Sequence, residues 1–301
     1  MTQSPRRMLL VTNTRRDEAI AAARETAQLL GNFGIVAMVS DQDLDGLSSA
    51  AFPLNKVEIF DEKKAQDVEL VIVLGGDGTI LRAAHLVRAA SVPVFGINLG
   101  HVGFLAEAER ADLVETVTAL AQGGYEIEER VALTVDVVLN GETTFHSWAL
   151  NEVTVEKSPP SSMIGLRLRI DDHDLTSFAA DGIIVGTPTG STAYSFSAGG
   201  PIVWPEIDAL LVTPLNAHAL FARPMVIPAN SEVAVVVDDT ITPGKAMVWC
   251  DSARSGAAPS GSVVRVRRSP APMRIARLRK VPFAERLVRK FNLPSESWRN
   301  R

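Results

Sequence analysis

Cysteine is all but missing. The single Cys250 among 301 residues cannot close an internal disulfide, which points to a reducing cytoplasm and away from an oxidised, secreted scaffold. Long apolar runs are missing too. No stretch approaches the roughly 20 residues that cross a bilayer, and the apolar run behind Arg6-Arg7 covers only 8–11, shorter than a signal peptide needs. The expected setting is soluble and cytoplasmic, with no membrane partner. The five histidines sit far apart and no H-E-x-x-H occurs, so the usual zinc-hydrolase signature is absent. G-x-S-x-G and G-x-x-x-x-G-K-[ST] are absent as well. The turn after the first apolar run is Asn13-Thr14-Arg15-Arg16, with no glycine, so it lacks the dinucleotide fingerprint G-x-G-x-x-G.

What is present is the composition of a globular protein. Hydrophobic residues are 46% and charged residues 22%, with Gly 21 and Pro 17 near average usage, which excludes a disordered or collagen-like chain. The length allows one large domain or two ordinary ones. The net charge of -5 is unevenly spread: residues 265–301 hold 12 Lys/Arg against 2 Asp/Glu, and the rest 18 against 33. Because the basic residues alternate with Val266, Ile275, Leu278, Leu287 and Phe291, they read as the solvated faces of strands and a helix. A nucleic-acid arm is not expected.

Strand-like runs at 8–12, 35–39, 70–74 and 93–97 alternate with helix-like stretches at 17–30, 80–90 and 112–122, while Asp41, Asp43 and Asp45 read as a polar loop. Such alternation implies a parallel sheet covered on both faces. From about residue 129 the pattern changes to short strands at 133–139, 151–156, 166–170, 183–186, 233–237, 247–251 and 263–266, with turns such as Asn140-Gly141 between them. Residues 282–293 return to helix, with Phe283, Leu287 and Phe291 on one face. The expected architecture is an N-terminal Rossmann-like α/β domain over 1–126, an all-β, sandwich-like domain over 127–282, and a helical tail over 283–301 that packs on the first domain.

Three glycine-rich stretches fall where strands end. Gly75-Gly76-Asp77-Gly78-Thr79 lies between a buried strand and a helix; its glycines can take positive φ and approach a ligand closely, with N–H groups aimed at an anion. Asp77 either caps that helix or serves chemistry, accepting the proton of an attacking hydroxyl or holding the metal of a phosphate donor. The run from Gly96 through Asn98, Gly100, His101 and Gly103 to Leu105 ends the next strand, and ligands of open α/β sheets collect at such carboxyl ends. The stretch 187–201 carries six Ser/Thr hydroxyls, three glycines and no positive charge, which suits sugar hydroxyls, amides and a base. Tyr194, one of two tyrosines, offers a stacking face worth roughly 1–3 kcal/mol.

Together with Asn151-Glu152, these stretches resemble the NAD kinase family, of the actinobacterial type suggested by Leu81-Arg82-Ala83-Ala84 and the tail 286–291. The G-G-D-G-T turn alone is shared with diacylglycerol-type lipid kinases and more loosely with phosphofructokinases; the combination is specific. The resemblance implies phosphorylation of the 2′-hydroxyl on the adenosine ribose of NAD to give NADP. It implies NAD as substrate, ATP or inorganic polyphosphate as donor, Mg2+ or another divalent metal, and a homodimer or homotetramer. By position, Asp77 corresponds to the general base, with Gly75, Gly76, Gly78 and Thr79 lining the site and Arg82 facing the phosphates. Asn151 and Glu152 correspond to contacts with the adenosine half, Asp181 to the other end of the dinucleotide, and Thr192, Ala193, Tyr194, Ser195, Phe196 and Ser197 to base and ribose. Asp251-Ser252-Ala253 stands where the family has Asp-Gly-Gln, and no site residue is taken from it. Two readings compete: a lipid or sugar kinase built on the same turn, and a non-catalytic NAD(P) sensor, against which the retained Asp77 speaks.

Overall fold

The structure is a computed structural model that describes residues 5–48, 57–100, 103–159, 163–279 and 281–294. The chain forms two compact units, Met1–Glu129 with Met273–Arg301, and Arg130–Pro272.

In the first unit the chain runs β1 (Arg7–Thr12), α1 (Asp17–Asn32), β2 (Val36–Val39), α2 (Asp41–Ser48), β3 (Val57–Ile59), β4 (Leu70–Leu74), α3 (Asp77–Val87), β5 (Val94–Asn98), β6 (Ala108–Glu109), α4 (Leu113–Ala121) and β7 (Glu126–Arg130). Strands β1, β4 and β5 are buried along nearly their whole length, as expected of parallel strands with helices on both faces. Among the described residues the neighbours run β3-β2-β1-β4-β5, with β1 paired in parallel to both β2 and β4. The chain order reverses at β1, so the crevice at the carboxyl ends of β1 and β4 is the switch point where ligands bind in such sheets. The Gly75–Thr79 turn leaves β4 at that place. Met8, Leu10, Ile72, Leu74, Phe95 and Ile97 pack with Ala22, Ala23 and Leu30 of α1 and Val117 and Leu120 of α4. Burying each of the larger side chains is worth roughly 1.5–3 kcal/mol.

The second unit runs β8 (Leu133–Leu139), β9 (Glu142–Ala149), β10 (Glu152–Lys157), β11 (Ile164–Ile170), β12 (His173–Ala180), β13 (Gly182–Gly186), α5 (Tyr194–Ser197), β14 (Ala209–Leu215), β15 (Met225–Pro228), β16 (Val233–Val237), β17 (Ala246–Cys250), β18 (Arg254–Ala258) and β19 (Val263–Arg268). Among the described residues these make two six-stranded sheets, β15-β14-β13-β10-β17-β18 and β12-β11-β16-β19-β8-β9. Alternate side chains point inward: Val135 and Val137 of β8 and Val264 and Val266 of β19 meet Val153, Val155, Ile183 and Val185 of the other sheet in one core. The all-β sandwich is thus present.

The chain ends with β20 (Met273–Arg277) and α6 (Phe283–Phe291), both in the first unit. Strand β20 extends the α/β sheet beside β5, Ile275 opposite Val94, although its sequence position falls within the β half. The Ser269-Pro270-Ala271-Pro272 break releases the chain from the sandwich, because proline cannot continue a sheet ladder. The basic end of the chain is largely neutralised: Arg265 pairs with Glu232, Arg267 with Asp136, Arg268 with Asp208, Arg279 with Glu115, and Arg277 and Arg286 with Glu107. Residues 41–48 are helical rather than loop. Ser40 accepts from the Asp43 amide at 3.2 Å, an N-cap that offsets the poor helix propensity of Asp and Gly. No helix among the described residues is long and apolar enough to cross a membrane.

Candidate active site

In the first unit the site is organised around Asp77. Helix α3 starts at Asp77 itself, with Gly76 as N-cap and no side chain capping it. The carboxylate therefore does not cap the helix. It reaches across instead to the loop after β5, accepting from the Phe104 amide at 3.1 Å and the Leu105 amide at 3.1 Å. Two hydrogen bonds to consecutive backbone amides fix both oxygens of one side chain. The neighbouring glycines serve close approach rather than positive φ, since none of Gly75, Gly76 and Gly78 adopts it. A Cβ at Gly75 would lie 2.6 Å from the Thr79 hydroxyl, and one at Gly103 would lie 2.3 Å from Asp77 Oδ1, whereas Gly76 and Gly78 have nothing within 4 Å. The open face of the turn is left to a ligand, with the first N–H groups of α3 lacking intrahelical acceptors.

Arg82, expected to face the phosphates, is held by protein groups at the first turns of α3. Its guanidinium grips Asp43 in bidentate fashion, at 2.8 and 3.2 Å, and donates to Thr12 O at 2.7 Å. Asp43 is almost fully buried, so this pair braces α3 against α2 and the end of β1. A buried carboxylate needs such a partner, while the Arg82 side chain stays 27% exposed. Asn98 is buried and bonds Gly100 O at 3.1 Å; His101 and Val102 of the same run lie outside the described residues.

In the second unit Asn151 and Glu152 open β10 and are both buried. The 187–201 stretch folds onto them. Thr187 donates its hydroxyl to Leu150 O at 2.6 Å and its amide to Asn151 O at 2.9 Å. A Cβ at Gly190 would lie 2.0 Å from Asn151 O, so only glycine permits this approach. Of the six residues from Thr192 to Ser197, Tyr194, Phe196 and Ser197 are exposed, the first two presenting aromatic rings, while Thr192 and Ala193 are half-buried. Ser195 departs from the expected ligand contact: it is fully buried and bonds Thr213 Oγ1 at 3.0 Å. Asp181 is held by Lys157 at 2.6 Å and Asn216 at 2.8 Å, and these bonds keep its carboxyl below its ordinary range.

Asp251, passed over in the sequence, is the organiser of this half. Its carboxylate accepts from the amides of Leu150, Asn151 and Glu152 at 2.7–3.3 Å and from Arg254 at 3.0 Å. Asp251 and Ser252 take φ of 49° and 54°, forming the tight turn between β17 and β18. An acidic residue in a three-residue turn between strand-like runs is the available signal.

Burial first, and the charge of Asp251 second, push Glu152 from its ordinary 4.5 up to about 8, against one hydrogen bond from the Tyr194 amide. Its Oε2 has no hydrogen-bond partner. A neutral carboxyl can donate as well as accept. The linkage is destabilising at high pH. Between 4.5 and about 8 the folded protein binds the proton and the unfolded chain does not, so stability falls as pH rises through that window, by up to about 1.4 kcal/mol per pH unit. Glu152→Gln is therefore expected to have no pH-dependent advantage below pH 4.5 and a growing one up to pH 8, read as the difference in denaturation midpoints. A difference flat with pH would contradict the shift.

Comparison with known proteins agrees with both halves. The ATP-NAD kinase N-terminal domain family matches residues 8–125 and the ATP-NAD kinase C-terminal domain family residues 150–278. An NAD kinase of Leifsonia xyli is 48% identical over 98% of this chain and 97% of its own. NAD kinase 2 of Streptomyces coelicolor is 46% identical over 99% of both. Among solved structures, yeast NADH kinase complexed with NADH has a TM-score of 0.84 at 21% identity, covering 98% of this chain and 90% of that one. An NAD kinase from Archaeoglobus fulgidus in complex with ATP has a TM-score of 0.69 at 24% identity, covering 95% and 98%; both show the shared fold. The two matching domain families and the relatives of 46–48% identity thus define a phosphotransferase. The chain belongs to the ATP-NAD kinase family.

Proposed function

We propose that the chain transfers the γ-phosphoryl group of ATP to the 2′-hydroxyl on the adenosine ribose of NAD, giving NADP and ADP. The observation that carries this reading is the Asp77 carboxylate, held by two backbone amides beside glycines whose faces are open. In the reaction the 2′-oxygen forms a bond to the γ-phosphorus, the bond from that phosphorus to the oxygen bridging to the β-phosphate breaks, and the hydroxyl proton passes to Asp77. Phosphoryl transfer asks for positioning and charge stabilisation, which the turn and the start of α3 supply. The first unit carries the transfer and the second the recognition of NAD. There Asn151, Glu152 and the exposed aromatics Tyr194 and Phe196 would offer polar groups and stacking faces to an adenosine, and Asp181 would meet the other end of the dinucleotide.

Among the described residues no three His, Cys, Asp or Glu side chains gather into a metal cage. Magnesium fits this arrangement nonetheless, because it binds largely through substrate phosphates and its own waters, and the start of α3 is where those phosphates would lie. When bound, it would neutralise charge developing on the transferred group. The buried thiol of Cys250 suits a reducing cytoplasm. A homodimer or homotetramer is supported by exposed apolar side chains, Leu220 and Phe221 before edge strand β15 and Val226 within it among them; sedimentation at micromolar protein showing only monomer would contradict it.

The test is NADP formation by the purified chain with NAD and either ATP or inorganic polyphosphate, with magnesium or with excess chelator. NADP is expected with ATP and magnesium and not with chelator. NAD binding without turnover under every donor would instead favour a sensor.

A further inference from the structure

The C-terminal helix reaches the candidate base through one residue. Arg286, in the middle of α6, is buried, its side chain 10% exposed. Its guanidinium donates to Phe104 O at 3.2 Å, to Ala106 O at 3.5 Å and to Glu107 Oε2 at 3.0 Å. Phe104 is the residue whose amide, with that of Leu105, holds the Asp77 carboxylate. The same residue is gripped on its other side by α6, the Phe104 ring lying 6.1 Å from that of Phe283 and 5.7 Å from that of Phe291. Glu107, the counter-charge of Arg286, is also paired with Arg277 of β20, so both prongs of Arg286 are anchored on Glu107 while Nη1 also holds the Phe104 carbonyl.

We infer that Arg286 is a positioning residue for phosphoryl transfer: by fixing the Phe104 carbonyl, which shares its peptide unit with the Leu105 N–H, it aims one of the two amides that orient Asp77. This rests on Asp77 being the base proposed above. The physical reason for an arginine is its planar fork, which can hold a carbonyl and a carboxylate at once in fixed geometry; a lysine ammonium is a point charge on a flexible stem. Docking the tail alone would need only the apolar face of α6, made by Phe283, Leu287 and Phe291, with Phe283 and Leu287 buried. An arginine buried against backbone carbonyls of the catalytic loop adds a constraint that apolar packing does not require.

The test uses the full chain and single-turnover NADP formation at saturating NAD and ATP. Arg286→Ala is expected to lower the rate about tenfold with KM for NAD within twofold of the parent, because small misplacements of a reacting group cost that much or more. Arg286→Lys keeps the charge opposite Glu107 and so the fold, and is expected to lose at least threefold in the same rate. Gly103→Ala, whose Cβ would displace Asp77 Oδ1, should lower the rate by itself. Combined with Arg286→Ala it should lose less than the product of the two single losses, since both act on one carboxylate. Arg289→Ala, on the exposed side of the same helix, should stay at the parent rate. Rates of Arg286→Ala or Arg286→Lys within twofold of the parent would overturn the inference, as would full multiplicativity with Gly103→Ala or a loss seen only in KM. The two claims are separable: Asp77→Asn at the parent rate removes the base, whereas an inactive Asp77→Asn beside fully active Arg286 variants removes only the positioning role.

Discussion

Asp77→Asn is expected to lower the rate of NADP formation by about 100- to 10,000-fold, the range that general acid–base help supplies, while NAD still binds. The substitution keeps the size of the side chain and removes its ability to take a proton. It also disturbs the local hydrogen bonding: the carboxylate accepts from both Phe104 and Leu105 amides, and an Asn side chain has one carbonyl oxygen for two donors. Calorimetry with NAD separates the two effects. Near-parental affinity with a collapsed rate assigns the loss to the chemical step, and a rate within about threefold of the parent would show that the proton goes elsewhere.

The second large effect is expected at Asp251, a residue that touches no reacting atom. Asp251→Ala leaves three buried amides, of Leu150, Asn151 and Glu152, without their acceptor. Each buried donor left unsatisfied costs about 1–3 kcal/mol, so a loss of about 3 kcal/mol or more is expected in chemical denaturation. Arg254 also loses its carboxylate partner, although its stacking on the Trp148 ring at 4.7 Å remains. Because the same amides set the path of Asn151 and Glu152, NAD affinity should fall with stability. A variant as stable as the parent within about 0.5 kcal/mol would mean that water replaces the carboxylate and that Asp251 organises nothing.

These two residues mark what a linear reading can reach. The alternation of strand and helix up to residue 122, and the short strands after it, carry the fold class, because buried parallel strands and half-buried antiparallel strands have different hydrophobic periods. The G-G-D-G-T turn was legible as a site because glycine and a carboxylate in one anion-binding turn are costly unless used. The partners of that carboxylate were not legible. Phe104 and Leu105 contribute backbone amides, which any residue has, and only the β5 loop's return places them beside Asp77. Asp251 is a hundred residues from the amides it caps, and Arg286 is 182 from the carbonyl it holds. The pairing of Ile275 with Val94 likewise depends on where the chain goes after Pro272, which local pattern does not encode. Ser195 shows the converse: a hydroxyl inside a binding motif can be spent on Thr213 in the core.

The most direct measurement is a crystal structure of the chain with NAD bound. The 2′-hydroxyl of the adenosine ribose is expected within hydrogen-bond reach of an Asp77 carboxylate oxygen, about 2.6–3.2 Å. A ribose whose 2′-hydroxyl points away from Asp77, with that carboxylate still closed on Phe104 and Leu105, would contradict the assignment of Asp77 as the base.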